Sequence, residues 1–516
     1  MIHQTRLQIN GLDKSSHYTR NLMRYLLGID LGTSSLRAML VNEKGRVIAV
    51  AGMEYPIIMP KKDWAEQNPE HWWKAAKYSI HKILEQSKIK SSEINGIGFS
   101  GQMHGMVLVD FKGRSLRNAI PWVDKRSTKE CEFIKEKIGE ARIYKITGIP
   151  VFPGFLLPSL LWVRKNEPQI YRKVYKVLSP KDFLRVRFTG EIFTEPTDGC
   201  ATLMMDVTKR KWSQEVLTTF KVPESIMAEI IESFDIAGRV NRETAKETGL
   251  REGTPVITGG GDQAMGAIGS GLIKPGIANS TIGTGGQFIT IVEKPIIDPK
   301  RRIHTFCHAF PEKWILMGAI LSAGLSLRWF RDNFIQMNTG GAYEKLSREA
   351  SKVPAGSEGL IFLPYLIGER TPHMDPDAKG CLFGLTLRHN RTSIARAIME
   401  GVTYAMRESL DIFEGFGIKI EKIIASGGGG KSAVWRQIQA DVYDREIFTV
   451  NQNEHSVYGA ALLAGVGTGI FKNIEDACKN IKYKIANCPS RRNIRTYDKI
   501  YKVYRGLYPA LKPIFI

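Results

Sequence analysis

The chain has 516 residues, too many for one ordinary hydrophobic core, so two domains are expected, each able to bury an interior without staples. Hydrophobic residues make up 43% and charged residues 24%, and the 49 glycines fall in short clusters rather than a repeat, which excludes a disordered or fibrous chain. The balance of 73 Lys+Arg against 52 Asp+Glu, net +21, attracts anions such as nucleotides; without zinc-finger spacing or an RNP-type aromatic motif it reads as a solvated basic surface rather than a specific nucleic-acid site.

Residues 1–22 are polar, with no apolar stretch typical of a signal peptide, and read as an N-terminal extension ahead of Met23. Residues 26–56 hold three apolar runs divided by "GTS" and "NEKG", the pattern of a β-meander. Its first turn, in "GIDLGTSS", sets Asp30 at a strand end and Gly32, Thr33 and Ser34 in a tight turn. Small residues let backbone approach a phosphate, hydroxyls donate to its oxygens, and a strand-end carboxylate can hold Mg²⁺; an ordinary hairpin turn is the plainer alternative. Asn68 and Pro69 open a helix, and the strand "INGIGFS" follows. It ends in "GQMHG", which exposes Gln102, Met103 and His104 at a carboxyl end, where α/β proteins place ligand groups. In "PWVDKRS", Trp122 can cover a sugar face or belong to the core, while Asp124 and Arg126 form an orienting ion pair.

"ITGGGDQAMG" then sets three glycines against one carboxylate, Asp262, at the start of a helix. The chain divides near residue 270, giving 23–270 and 271–516. "GIANSTIGTGGQFITIVEKP" repeats the opening grammar with Gly283, Thr284 and Gly285 at its turn, which points to an internal duplication. "WILMGAILSAGLSL" is too short to span a bilayer and reads as a buried strand and helix, so no membrane association is expected. A long amphipathic helix from residue 391 leads to a strand and to Gly427–Gly430, a four-glycine loop against which a base or ribose can lie, with Ser432 capping the next helix. The GxxxxGK[ST] frame of a P-loop is absent. At the end of the chain, Tyr497, Ile500, Tyr501, Tyr504, Leu507 and Tyr508 form one face of a docked helix. Six scattered cysteines without a CxxC pair fit reduced thiols in a cytoplasm.

In this order these segments, with "PGFLLPSLLWV", "SPKDFLR", "HTFCHA", "LPYLIGERTPH" and "SGGGGKSAVWRQIQAD", resemble the FGGY carbohydrate kinase family from about residue 26 to 510. The resemblance implies an α/β protein of two actin-like (ribonuclease H-like) ATPase domains flanking a central cleft. Sugar is then expected mainly on the first domain and MgATP mainly on the second. It implies transfer of the γ-phosphoryl group of ATP to a ketose, D-xylulose being the expected acceptor, in a cytoplasmic enzyme whose partners are its sugar and MgATP; a homodimer is compatible with it. By position, Gln102, Met103, His104, Trp122, Asp262 and Gln263 correspond to the sugar side and Asp30 to the Mg²⁺ side. Gly32, Thr33, Ser34, Gly283, Thr284, Gly285, Gly428, Gly429 and Lys431 correspond to the nucleotide side. A phosphate cradle should be neutral or positive, and two hairpins and a glycine loop already serve that purpose. Asp262 therefore falls to the sugar as general base. Two positions depart from the pattern: Gln263 stands where some members have Asn, and Val123 replaces an Asn, which bears on the choice of ketose. Two rival readings are a sister kinase acting on gluconate, ribulose or another polyol, and an actin-like ATPase without a sugar substrate.

Overall fold

The computed structural model describes residues 23–335 and 341–515; the expected extension, 1–22, lies outside the described residues. The meander forms as read. Strands Tyr25–Leu31, Ser35–Asn42 and Val47–Glu54 pair antiparallel in sequence, and the first is buried along nearly its whole length, the mark of a central strand covered on both faces. The third alternates between buried and exposed positions and lies at the sheet edge. Helix Pro69–Ser87 starts where Asn68 accepts a hydrogen bond from the Glu70 amide, and it lays Trp72, Ala76, Ile80 and Ile83 into the core. Strand Ile94–Gly101 then runs parallel to the first strand, and Pro255–Ile257 parallel to it in turn, with Ile236–Arg239 antiparallel outside.

The second half repeats this plan. Ile277–Ile282, Gly286–Val292 and Trp314–Ile320 form the meander, Lys422–Ser426 and Ile447–Val450 add in parallel, and His304–Cys307 and Tyr483–Asn487 close the two edges. The inferred duplication is thus realised as strand order: each sheet runs from the last meander strand inward to the first and then to two parallel strands. The apolar run at 314–327 is a buried strand followed by helix Gly324–Phe330. At the C-terminus, helix Arg491–Leu511 buries Tyr497, Tyr501, Tyr504, Leu507 and Tyr508 against long helix Arg391–Gly415, with Tyr497 donating a hydrogen bond to Glu400. Among the described residues no helix is long and apolar enough to cross a membrane.

Two helices join the halves. Asp262–Gly269 leads out of the first sheet, and His455–Gly467, which follows the second sheet's parallel strands, returns to pack on the first sheet. The sequence of the latter, "HSVYGAALLAGVG", has no polar face because it is buried on every side, between strands Tyr25–Leu31 and Ile94–Gly101 and the other helix. Approach is to backbone distance: a Cβ on Gly459 would lie 1.9 Å from the Met265 carbonyl oxygen, and one on Gly269 1.9 Å from that of His455. Gly28 and Gly98 admit the same helix to the sheet, with carbonyl oxygens at 2.1 and 2.0 Å from their would-be Cβ atoms. Backbone cannot yield as a side chain end can. Gly459→Ala is therefore expected to destabilise the fold by at least about 1–3 kcal/mol, the cost of overpacking a tight core, read as a lower urea midpoint at unchanged slope.

Candidate active site

The duplication places two glycine turns at the ends of equivalent strands. In the first, the Gly32 amide donates to the Ser35 carbonyl at 2.9 Å, and Tyr55 and Gln67 fix the turn by donating to the Gly32 and Thr33 carbonyls at 2.5 and 2.6 Å. In the second, the Gly283 amide donates to Gly285, and the Thr284 carbonyl accepts from the amides of Ala323 and Leu325, so the turn is braced by the start of helix Gly324–Phe330. Thr284 and Ser34 are exposed at the tips. Both turns thus keep their outer surface free for a ligand.

Asp30 is the penultimate residue of the first strand, in register with Arg37 and Ser100. Its Oδ1 is buried and without a hydrogen-bond partner among the described residues; Ser100 lies beside it but does not complete a well-aligned bond. Burial, with the negative charge of Glu454, holds this carboxyl above its usual range, while Arg37 pulls it down. An orphaned carboxylate oxygen in a negative neighbourhood suits a cation that brings its own waters and phosphate ligands, as Mg²⁺ does. Asp30 fits that ion. Glu454, just before the buried crossing helix and 3.4 Å from Arg37, was not singled out in the sequence because nothing local distinguishes a glutamate in a polar turn.

Asp262 is the first residue of its helix, with Gly261 at the cap position and no side-chain capping bond. It is therefore no ordinary capping aspartate. Gln263 donates to its Oδ1 at 3.3 Å and Ser456 Oγ to its backbone carbonyl at 3.1 Å. Burial first, and then the charge of Asp30, push its carboxyl up to about 7. The glycines before it are fitted closely: a Cβ on Gly261 would meet Met103 Cγ at 2.7 Å, and one on Gly259 the Phe99 carbonyl at 2.2 Å.

Met103 thus lines the approach to Asp262. His104, with φ of 70°, turns its ring flat onto Phe155, the centroids 3.8 Å apart, and its Nδ1 lies 2.8 Å from the Ala201 carbonyl. Burial pushes this imidazole down to about 3, so it is neutral: Nδ1–H donates to Ala201 and Nε2 remains an acceptor. Trp122 is 37% exposed and donates its indole N–H to Thr33 Oγ1 at 3.0 Å, which ties the expected sugar side to the first hairpin. Asp124 and Arg126 form the expected ion pair, fully buried at 3.0 Å, with Arg126 stacked over Trp64 and also bonded to Glu66. Gln102 faces inward instead of outward: it is 1% exposed and donates to Gln67 Oε1 at 2.7 Å, so it holds the residue that holds Thr33.

The four-glycine segment is a turn of helix, Gly427–Lys431, rather than an open loop. A Cβ on Gly427, Gly429 or Gly430 would press within 2.6 to 2.8 Å of Ile282 or Ala425, so close packing accounts for three of the glycines, and only Gly428 would take a Cβ without crowding, 3.7 Å from the Ile282 carbonyl. Lys431 is exposed beyond it, and Ser432 caps the next helix by accepting from the Trp435 amide. Three carboxylates with a buried lysine, Asp182, Glu195 and Asp198 around Lys181, support the glycines before Asp262 from behind: Thr197 Oγ1 accepts from the Gly261 amide at 2.8 Å, and Lys181 donates to the Thr258 carbonyl. A recess of about 640 Å³ beside the C-terminal helix, lined by Glu408, Asp411 and Tyr501 among others, shares no residue with this site.

Residues 25–269 match the N-terminal domain of the FGGY family of carbohydrate kinases and residues 278–468 its C-terminal domain. The chain is 37% identical to the xylulose kinase of Bacillus subtilis, over 95% of this chain and 98% of the other, and 32% identical to the gluconokinase of the same organism, over 95% and 96%. The crystal structure of a xyloylose kinase from Brucella ovis superposes with a TM-score of 0.89 at 34% identity, covering 95% of this chain and all of that one. The two sheets are accordingly the two domains of an actin-like ATPase fold, and the chain belongs to the FGGY family of carbohydrate kinases.

Proposed function

We propose that this carbohydrate kinase transfers the γ-phosphoryl group of ATP to D-xylulose, forming D-xylulose 5-phosphate, with Asp262 as general base. The observation that carries the mechanism is the state of Asp262. It makes no capping bond, burial and the charge of Asp30 push its carboxyl up to about 7, and the chain before it carries no side chain that would separate a sugar hydroxyl from a phosphate. A carboxylate at that point accepts the hydroxyl proton as the oxygen attacks phosphorus. The acceptor assignment rests on the greater identity to the xylulose kinase than to the gluconokinase of one organism, and gluconate is the rival.

In this reading, residues 23–270 hold the sugar through Met103, His104, Trp122 and Gln263, and residues 271–516 hold most of the nucleotide. Gly32, Thr33 and Ser34 face Gly283, Thr284 and Gly285 across the phosphates. Gly428, the uncrowded glycine of the four, and Gly429 and Lys431 beside it line the nucleoside. Asp30 holds Mg²⁺, which when bound supplies charge neutralisation at the phosphates. The protein's own part is to orient the hydroxyl, take its proton at Asp262 and keep His104 neutral as a hydrogen-bond acceptor for the sugar.

Across a panel of D-xylulose, D-ribulose, D-gluconate and glycerol, D-xylulose is expected to give the highest kcat/KM; a clear preference for another member would sink the acceptor assignment. Asp262→Ala is expected to lower kcat by at least roughly 10²-fold, the low end for a lost general base, with the fold retained. Near-normal turnover in that variant would remove Asp262 from the chemistry. The base must be ionised, so wild-type kcat/KM should fall about tenfold per unit as pH drops below about 7. Stability should respond in the opposite sense. The folded carboxyl holds its proton to about 7, above the roughly 3.9 of an unfolded aspartate. Its stabilising contribution is therefore full below the unfolded value and lost as pH rises through about 7. Free of ligands, Asp262→Asn is expected to melt above wild type at pH 8, with the gap closing toward pH 4.

A further inference from the structure

One cation near the sugar side is contributed by the other half of the chain. Arg370 follows strand Ile361–Leu363 in a segment pinned to strand Trp314–Ile320: Thr371 and Ala319 exchange backbone and hydroxyl hydrogen bonds at 2.9 and 3.0 Å, and Glu369 Oε1 accepts from the Leu321 and Arg370 amides. From this anchored backbone the guanidinium crosses to the first domain and lies 4.9 Å over the ring of Phe152, which packs on Phe155, the ring beneath His104. Among the described residues no carboxylate comes within ion-pair distance of it. The adjacent Glu369 acts on its charge only from a distance: it makes no ion pair with Arg370, its Oε1 is taken by the Leu321 and Arg370 amides, and its Oε2 is without a partner among the described residues. Five donors in a fixed fork, partly buried and unanswered, are costly unless a ligand supplies the acceptors.

A second group converges there. His304, at the head of the edge strand His304–Cys307, is 1% exposed and stacks with Phe306, whose ring also lies 5.9 Å from that of His104. Neither of its ring nitrogens has a hydrogen-bond partner among the described residues, the Met317 backbone lying near but out of line. A continuous run of ring contacts, from Phe306 through His104 and Phe155 to Phe152, links His304 to Arg370, whose charge adds to burial in lowering both imidazoles.

We propose that Arg370, with His304 beside it, binds the end of the acceptor remote from the hydroxyl that reacts, and reads there an oxygen that only accepts hydrogen bonds: the carbonyl of a ketose or the carboxylate of an aldonate. This rests on the sugar kinase reading above. A donor-only fork suits such an oxygen better than a hydroxyl, which must also place its proton. Because Arg370 hangs on strand Trp314–Ile320, whose Ile320 carbonyl presses on Gly285, the same contact joins the sugar to the second phosphate hairpin.

The test uses the full chain with Arg370→Gln and Arg370→Lys, ATP, and two acceptors that differ only at C2, D-xylulose and xylitol. Arg370→Gln is expected to raise KM for D-xylulose at least about tenfold, the effect of losing a charged hydrogen bond, with KM for ATP within about twofold. Its preference for D-xylulose over xylitol should shrink, and Arg370→Lys should recover part of it. An unchanged KM, or an equal loss for both acceptors, would overturn the inference, since a merely structural residue would not alter the ratio. The two readings fail separately. If wild type prefers D-gluconate, the xylulose assignment falls, and Arg370 must then discriminate gluconate from its alditol or be dismissed.

Discussion

The structure depends on one contact: two helices that cross at backbone distance because each carries a glycine at the crossing. Gly269 lies against the His455 carbonyl and Gly459 against that of Met265. These two segments are also where the chain passes between its halves. A glycine pair gives up side-chain packing and costs conformational entropy, yet it allows carbonyls and amides of the two backbones to nest, which no larger residue permits. The position of Asp262 follows from it. The helix that begins with Asp262 is held along its length by the second helix, and Ser456 of that helix bonds the Asp262 carbonyl. A loop-borne carboxylate would have no such support.

The pieces around Asp262 come from distant stretches of sequence. Strand ends supply Asp30 and Met103; the buried Lys181 cluster supports the glycines from behind, and Arg370 and His304 arrive from the second half. The groups gathered on this side of the molecule therefore do not come from one half alone. Edge strand His304–Cys307 bonds across to the first domain through Thr305 and Gly148, and Tyr144 donates to the Ile303 carbonyl.

Much of this was legible in the sequence for definite reasons. The meanders, the helix opened by Asn68 and Pro69, and the aromatic face of the last helix show because period and capping are local properties. The duplication showed through two similar turns. The four glycines at 427–430 look like a bare loop in the sequence, whereas Gly427 and Gly429 are imposed by Ile282, which reaches them only through the pairing of two strands far apart in the chain. Gln102 pointed inward for a similar reason: its partner, Gln67, lies on a different segment. Nothing local in "LPYLIGERTPH", "HTFCHA" or the turn before His455 shows what Arg370, His304 and Glu454 face; only the folded chain shows that Arg370 makes no ion pair among the described residues, that His304 lacks a hydrogen-bond partner there and that Glu454 adds its charge near Asp30.

The two halves repeat their strands but not their electrostatics. Where the first strand of the first sheet has Asp30, the equivalent penultimate position of the second sheet's first strand is Thr281, whose hydroxyl is satisfied by Asn279 and Ser426. One member of the pair is an ion in want of a counter-ion, the other a neutral group already at rest. A duplicated scaffold alone would present a symmetric cleft, indifferent to which way round a triphosphate lay in it. Breaking the symmetry at this single pair gives the cleft a polarity: its one unanswered carboxylate oxygen stands on the sheet that also supports Asp262, and the other sheet presents only a neutral hydroxyl at the matching point.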